Sequence, residues 1–449
     1  SLAAGQSEYI IANVTVPAAP AAATYLIFGS DRHEDFDWRT ENGVSFGYSE
    51  SEAMRVIMNK MKGNEIPTGV TPSFVGIVGD GISFDNVSGS PSTYYNKNAT
   101  YYTSDILNDV IDVWGDAAGG VTTTGANPVV GFSYADHDIC AIDDADIMMQ
   151  SNNIQYPSPH YCDDPKNATG IYYENDQYVI YDLSFLDVAV WRTDFNNTCH
   201  PGTYETRGGG GNYNTSSPSS GDMAKTIVCA TAASAAFQSE FLVNGSANPA
   251  HAGKAIFVMS HAPLHRSTRS DNVGGKVWAD VFNTVGQQYD IVVLWGHNHS
   301  RDNSMGDSQF YYKAPGSTMS VNKENSGVNV TLNFTYCNAG YIPHHGNQAG
   351  TTPGPDNNSP SAARYNYMNS FKLTNDTLEI HGAYASCGEI WGSAYANKYT
   401  SYKGNLDTDV KFKRLHGPAA SKGTGASRTV VVDYTPTTAT LPTALPTTN

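Results

Sequence analysis

Residues 291–299 constrain this chain more than any other stretch. Ile291 to Trp295 are five consecutive apolar residues, too few for a buried helix, so they predict a buried β-strand. Gly296 then turns the chain, and His297 and His299 follow beyond the strand end. Two imidazoles in that position can form half of a metal site. The alternative is a pair of polar loop histidines.

Four further stretches share this design, a short β-rich run that ends in aspartate or histidine. The recurrence makes a common site a better explanation than five unrelated loops. The four are residues 25–30 followed by Asp31 and His33, residues 74–78 followed by Gly79-Asp80, residues 128–134 followed by Asp136-His137-Asp138, and residues 255–260 followed by His261.

Helical patterns separate several of these strands. Met54, Ile57, Met58 and Met61 recur at the spacing of one buried helix face, and a serine at position 49 or 51 can cap that helix. Strand–helix–strand order predicts parallel or mixed sheets, in which ligand chemistry gathers at the carboxyl ends of the strands. The other predicted helices are 104–114, 222–243 and 276–289.

The chain divides into one large domain with extensions. Residues 1–22 predict an edge strand and a linker, residues 23–392 the main domain, residues 393–434 an extension and residues 435–449 an exposed Thr/Pro-rich stalk. Residues 140–220 predict a glycosylated, disulfide-pinned insertion near the site, with strands at 178–183 and 185–191. Hairpin-like strands are predicted after His299, at 309–313, 328–336, 370–373 and 377–381.

Composition indicates the compartment and excludes some partners. A formal charge of −17 argues against a protein that binds a nucleic-acid duplex, which needs a basic surface. No apolar run is long enough for a transmembrane helix, and no signal peptide is visible at Ser1, so we expect a mature form. Six cysteines fit up to three disulfides, and with many sequons they favour a secreted or cell-surface glycoprotein carrying N- and O-linked glycans. The sequons begin at Asn13, Asn86, Asn98, Asn167, Asn196, Asn214, Asn244, Asn329, Asn333, Asn357 and Asn375.

In order and loop placement, these motifs resemble those of the calcineurin-like metallophosphoesterases, D-x-H, G-D, G-N-H-[DE], H and G-H-x-H. The match covers roughly residues 25–313. The resemblance implies an α/β fold, a four-layer α/β/β/α sandwich of two mixed sheets flanked by helices. It also implies two divalent metal ions about 3.5–4 Å apart, which acidify a bridging water and clamp phosphate oxygens during in-line attack.

The family pattern assigns roles to positions in this sequence. Asp80 would bridge the two ions. His137 would stabilise the transition state or protonate the leaving oxygen, oriented by Asp138. The first ion would be completed by Asp31, His33 and His299, and the second by Asp136, His261 and His297. For each residue taken singly, a capping aspartate or hydrogen-bonded histidine is the alternative.

One departure affects the charge of the site. Where the family carries G-N-H, this chain has Ala135-Asp136-His137, so a carboxylate replaces an amide ligand. Three carboxylates and a hydroxide would then balance two divalent ions, and an anionic phosphate should be held less strongly. His265 is a further catalytic candidate, and its alternative is a histidine that lies behind the metal ligands or on the surface. Arg32, Arg266 and Arg269 are candidates for binding substrate, with solvated surface as theirs.

The ligand types suit zinc or manganese, with a mixed site containing iron as the alternative. Purple acid phosphatases, one branch of the superfamily, carry a tyrosine ligand where this chain has Ser83, so no purple colour is expected.

The resulting hypothesis is a secreted dinuclear-metal hydrolase of small-molecule phosphate esters, most simply a phosphomonoesterase. The rival is a structural surface glycoprotein with a weakened site, forming homo-oligomers or filaments through the N-terminal strand. A third hypothesis, a carbohydrate-binding module, is supported only by the many tyrosines.

Overall fold

The computed structural model of this protein describes residues 23–32, 40–41, 44–45, 49–79, 109–115, 128–133, 178–183, 188–193, 220–265, 274–296, 312–324, 326–342, 366–385 and 410–416. Its helices are α1 Ser49–Met61, α2 109–114, α3 Ser220–Phe241 and α4 Gly275–Val285. Its strands are β1 Thr24–Gly29, β2 Thr40–Glu41, β3 Val44–Ser45, β4 Phe74–Val78, β5 Val129–Ser133, β6 Tyr178–Leu183, β7 Val188–Thr193, β8 Leu242–Val243, β9 Ser246–Ala247, β10 Ala255–Ser260, β11 Asp290–Trp295, β12 Tyr312–Lys313, β13 Thr318–Lys323, β14 Ser326–Thr331, β15 Thr335–Asn338, β16 Gly340–Tyr341, β17 Asn366–Leu373, β18 Thr377–Ala385 and β19 Val410–Lys413.

Two large mixed sheets form the centre of the molecule. The first has seven strands in the order β19-β18-β17-β1-β4-β5, with β16 also paired to β17, and its β1, β4 and β5 are parallel. The second has six strands in the order β12-β15-β11-β10-β7-β6, of which β15, β11, β10 and β7 are parallel. The parallel strands of each sheet therefore end at a common edge.

A buried apolar layer joins the two sheets. The ring of Phe28 in β1 stacks on Phe257 in β10 at 5.5 Å between centroids, and it meets Phe371 in β17 edge to face at the same distance. A side chain on Gly76 of β4 would collide with the Phe28 ring, so the absence of a Cβ there allows this stacking. Alternate residues of β1 and β10 thus face the partner sheet, as the period of a strand requires.

Helices cover the outer faces of both sheets. On the seven-stranded sheet, α1 packs against β17 and β18 with Met54, Ile57, Met58 and Met61 fully buried, which confirms their prediction as core residues. On the six-stranded sheet, α3 and α4 bury an aromatic cluster of Phe237, Phe241, Trp278 and Phe282 against β10 and β11. The predicted α/β/β/α sandwich with two mixed sheets is confirmed.

Several predicted elements need correction. The strands β6 and β7, placed within the 140–220 insertion, belong to the central six-stranded sheet, where β7 pairs in parallel with β10. The predicted strand 328–336 is two strands, because residues 332–334 leave the ladder and bury Leu332 and Phe334 in the core. Strand β13, which pairs with β14, was not predicted. The part of the predicted helix 104–114 that is described begins at residue 109.

A buried ion pair fixes the end of β19 to the opposite end of β11 from the predicted site. Asp290, the first residue of β11, accepts a hydrogen bond from Arg414 Nε at 3.1 Å and from the backbone N–H groups of Leu415 and His416. Arg414 also donates to the carbonyls of Gly253 and Thr374. One guanidinium thus joins both sheets and the chain segment after β19.

The structure bears on the predictions about disulfides, sequons and membrane-spanning helices. Cys337 is a buried thiol that donates to the Asn338 carbonyl, so three disulfides using all six cysteines are ruled out; the other five side chains lie outside the described part. The asparagines of the described sequons, Asn244, Asn329, Asn333 and Asn375, are all exposed. No helix among the described residues is long and apolar enough to cross a membrane.

Tyr289, between α4 and β11, makes the free energy of unfolding depend on pH in the alkaline range. Its buried hydroxyl donates to the carbonyl of Phe241 at 2.9 Å, and burial raises the pKa of Tyr289 from 10.0 to about 12. The unfolded chain loses this proton near pH 10, while the folded protein keeps it until about pH 12, so the stabilisation is complete below pH 10 and is lost as the pH rises through 12. Urea unfolding should show a loss on the order of 2 kcal/mol across this range. The Tyr289→Phe variant should not show this loss of unfolding free energy at alkaline pH. An equal loss in the parent protein and the variant would contradict the prediction.

Candidate metal centre

The turn that follows β1 places Asp31 at the junction of the two sheets. Asp31 adopts a left-handed backbone conformation, φ 54°, which is unfavourable for a residue with a Cβ and persists only where the surroundings hold it. Its N–H donates to the carbonyl of Gly79 at 3.1 Å, while Ser30 Oγ donates to the carbonyl of Val78. The ends of β1 and β4 are therefore tied together, with the Asp31 carboxylate fully buried between them.

His261 comes to the same place from the end of β10 in the other sheet. Its Nδ1 lies 2.8 Å from the carbonyl oxygen of Val78. Because a carbonyl can only accept, this hydrogen bond requires the proton on Nδ1, so the neutral ring carries its lone pair on Nε2. A backbone carbonyl on one ring nitrogen is a common partner of a histidine whose other nitrogen binds a metal.

The acidic and imidazole donors face each other. Asp31 Oδ1 and His261 Nε2 are 3.9 Å apart, too far for a hydrogen bond between them. Zinc lies about 2.0–2.2 Å from carboxylate oxygen and imidazole nitrogen, so two donors of one tetrahedral ion are about 3.4 Å apart, and the observed distance is wider than this. The pair fits divalent cations in donor type and in tautomer. Their assignment to separate ions stays a prediction.

Two glycines end described segments at the same edge. Gly79, which accepts from Asp31, has φ 74°, a conformation that glycine adopts without steric cost. Gly296 donates its N–H to the His261 carbonyl at 2.9 Å, and a Cβ there would lie 2.6 Å from Asp31 Oδ2. Asp80 and His297 are the next residues in the sequence after these glycines and lie outside the described residues.

The strand before Asp136 ends at this edge as well. Ser133, the last residue of β5, pairs in parallel with Val78, the last residue of β4. All five predicted motifs therefore follow strands that end beside Val78, Asp31 or His261, and Asp136 comes three residues after the end of β5.

The predicted site residues fall into two groups. Asp31, Arg32, His261 and His265 are described, and within the described segments no three acidic, histidine or cysteine side chains form a metal-binding group. The other roles stay predictions, since His33, Asp80, Asp136, His137, Asp138, Arg266, Arg269, His297 and His299 lie outside the described residues.

His265 is held in a polar and aromatic corner next to the site. Its Nδ1 is 3.0 Å from the hydroxyl of Tyr336, and its ring meets Trp295 edge-on with centroids 4.8 Å apart. The same hydroxyl accepts the Leu264 N–H at 2.8 Å. His265 is fully buried, so the structure fixes its orientation through Tyr336. Its predicted catalytic role is not tested by these contacts.

Removing the Tyr336 hydroxyl should lower the free energy of unfolding. Tyr336→Phe leaves the Leu264 N–H without this acceptor, and an unsatisfied buried donor costs about 1–3 kcal/mol. We expect that loss in urea unfolding. Tyr312→Phe is the matched control, because Tyr312 lies in β12 beside β15 and is only partly buried. An equal loss in both variants would contradict a special role for Tyr336.

Arg32 does not extend to the surface. Its guanidinium is fully buried and donates through Nη2 to Asp109 Oδ2 of α2 at 3.2 Å. Asp109 also lies 3.6 Å from Arg55 of α1. The role of Arg32 in substrate binding stays a prediction.

Sequence reasoning missed Ser30, Asp109 and Tyr336. Ser30 directly precedes Asp31 at a strand end, which was a usable local signal. Asp109 and Tyr336 sit in ordinary amphipathic patterns, and only the folded chain shows what they contact.

No family model and no curated protein sequence matches this chain. Among solved structures, it is similar to a 5′-nucleotidase precursor from Thermus thermophilus, with 11% identity, a TM-score of 0.36, and coverage of 84% of this chain and 59% of that one. It is also similar to a purple acid phosphatase isolated from yellow lupin (Lupinus luteus) seeds, with 8% identity, a TM-score of 0.34, and coverage of 86% and 57%. The chain spans less than two thirds of the length of either structure.

Proposed function

We propose that this protein is a secreted, dinuclear-metal phosphoric-ester hydrolase of the calcineurin-like type. The observation that carries the proposal is the meeting of Asp31 and His261, which come from different sheets and face each other with the metal-binding nitrogen of His261 turned toward the carboxylate. The motif order Asp31, Asp80, Asp136, His261 and His297 supports two ions rather than one.

The chain's own residues prepare the site before any substrate arrives. Val78 fixes the His261 tautomer, and Ser30 and Gly79 hold the Asp31 turn. When bound, the two ions would generate the nucleophile and neutralise charge on the phosphoryl oxygens. His137 would donate a proton to the leaving oxygen, with Asp138 orienting its ring.

The preferred substrates are small phosphomonoesters, with phosphodiesters such as lipid head groups as the second class. Exposed sequon asparagines support a secreted glycoprotein. The test is metal content together with turnover of p-nitrophenyl phosphate and of its bis-ester. Two metal equivalents with hydrolysis of either ester are the expected result, and the ratio of the two rates assigns the class.

A structural surface glycoprotein is the second candidate. The replacement of Asn by Asp136 and the four exposed sequon asparagines favour it. Metal binding without hydrolysis of either ester would support this candidate, and protein that binds neither zinc nor manganese would establish it over the hydrolase.

Asp136→Asn tests the charge argument. Removing one negative charge from the site should strengthen the binding of anionic phosphate, because the net charge of the occupied site becomes positive. We expect a lower inhibition constant for inorganic phosphate and a lower KM for p-nitrophenyl phosphate. An unchanged KM would count against the charge argument while leaving the hydrolase proposal intact.

A further inference from the structure

The residue after Asp31 contacts the helical layer. Arg32 has no exposed surface, and its partner Asp109 is 3% exposed, so this ion pair is shielded from solvent on both sides. A guanidinium that is buried and paired in this way presents no exposed surface to an incoming phosphate ester.

Asp109 connects the turn to two helices. It begins the described part of α2, whose Val110 and Val113 are buried, and its Oδ1 lies 3.6 Å from Arg55 Nε of α1. The helices are joined to each other as well, since Lys62 Nζ, just after α1, donates to the Val113 carbonyl at 2.7 Å. Arg32 therefore links the turn to two helices that also contact each other.

The backbone of the turn requires such a restraint. Asp31 holds a left-handed φ of 54°, which the chain would leave if its surroundings allowed it. The Asp31 N–H and the Ser30 carbonyl are anchored to Gly79 and Ile342, on the side of the strands. The contact between Arg32 and Asp109 anchors the far side of the same turn.

We infer that the Arg32–Asp109 ion pair is a positioning device, which holds Asp31 in its metal-binding geometry from the helical layer. Arg32 and Asp109 are positioning residues and touch neither metal nor ester. The inference rests on the proposed metal-dependent function, and it competes with the assignment of Arg32 to substrate binding.

The test compares Asp109→Asn with Asp112→Asn in the full chain. Both residues lie on α2 and both interact with Arg55, but Asp112 is exposed and is not seen to contact Arg32 in the described residues. Zinc affinity by chelator competition is measured for each, together with kcat and KM at saturating zinc for p-nitrophenyl phosphate or its bis-ester, whichever the parent protein hydrolyses faster. We expect D109N to lower zinc affinity about 10–100-fold, the usual loss for a group that orients a metal ligand. Saturating zinc should restore kcat with KM unchanged, and D112N should match the parent protein.

Arg32 variants complete a double-mutant cycle. We expect R32Q to weaken zinc binding as D109N does, and R32Q/D109N to be no worse than either single variant. If D109N fails to fold, the paired replacement R32M/D109L carries the test, because substituting both partners of a buried ion pair leaves no uncompensated charge. In that variant zinc affinity should still fall, because the contact between the Arg32 guanidinium and the Asp109 carboxylate, which anchors the turn, is absent.

The results distinguish failure of the proposed function from failure of the inference about Arg32 and Asp109. Parent protein that binds neither zinc nor manganese overturns the proposed function and with it this inference, and if it binds manganese alone, the same affinities are measured with manganese. Parent protein that binds zinc with normal affinity in D109N overturns the inference alone. A higher KM in R32Q at saturating zinc, with zinc affinity unchanged, would instead assign Arg32 to the substrate.

Discussion

His261→Ala is expected to abolish ester hydrolysis. The substitution removes the nitrogen donor that lies 3.9 Å from Asp31 Oδ1, so this carboxylate loses its counterpart in the site. Loss of a group that only orients a metal ligand costs about 10–100-fold, and loss of a ligand should exceed this in kcat. The measurement is turnover of p-nitrophenyl phosphate and of its bis-ester, together with zinc or manganese content.

A matched histidine provides the control. His251 is also buried and also pairs with a carboxylate, Glu240 at 2.6 Å, but it lies after β9 beside Phe241. His251→Gln should keep its metal and its kcat when assayed below its unfolding temperature. His261→Ala protein with full metal content and parental kcat would refute the site. Asp31→Asn and Asp80→Asn should resemble His261→Ala while keeping the fold.

The largest effect on stability is expected at the opposite end of β11. Asp290→Ala removes the carboxylate that accepts from Arg414, Leu415 and His416. Arg414 has a side chain only 1% exposed, so its charge would stay buried without this partner. Breaking a buried pair on one side costs about 3–5 kcal/mol. Urea unfolding followed by circular dichroism should show this loss.

An exposed pair on the helix that precedes β11 gives the comparison. Asp280 pairs with Lys276 one turn apart on α4, and both are solvent-accessible. Asp280→Ala should cost no more than about 0.5 kcal/mol, the usual range for an exposed helix pair. Similar losses for Asp280→Ala and Asp290→Ala would show that burial does not set the effect. Asp290→Ala should also leave zinc affinity unchanged, because the pair is remote from Asp31.

Strands with continuous apolar runs were predictable, and strands with mixed patterns were not. Residues 74–78 and 255–260 are strands with the predicted bounds, since an apolar run buried on both faces admits few alternatives. In contrast, Thr318–Lys323 is mostly polar, and only its pairing with β14 makes it a strand. The strand at 178–183 was predicted with its bounds and the next was predicted at 185–191, where the structure has 188–193, but their membership of the central sheet depends on β10.

The candidate site shows the same division. Asp31 and His261 could be selected from sequence because each follows an apolar strand directly. The pairing of Arg32 with Asp109 could not be predicted, since it joins a strand end to a helix 77 residues later in the chain and leaves no local pattern. Likewise, nothing in the sequence indicates that Tyr336 orients His265.

By itself, the sequence determined which residues end the strands and which chemical groups they carry, because hydrophobic periodicity and turn residues act locally. The tertiary structure alone decided that β4 of one sheet and β10 of the other end together, so that Val78 can set the tautomer of His261 and turn its nitrogen toward Asp31. The packing of Phe28 and Phe371 of the first sheet against Phe257 of the second fixes how the two sheets lie on each other. Contacts between residues remote in sequence set this arrangement, and no window of the sequence contains them.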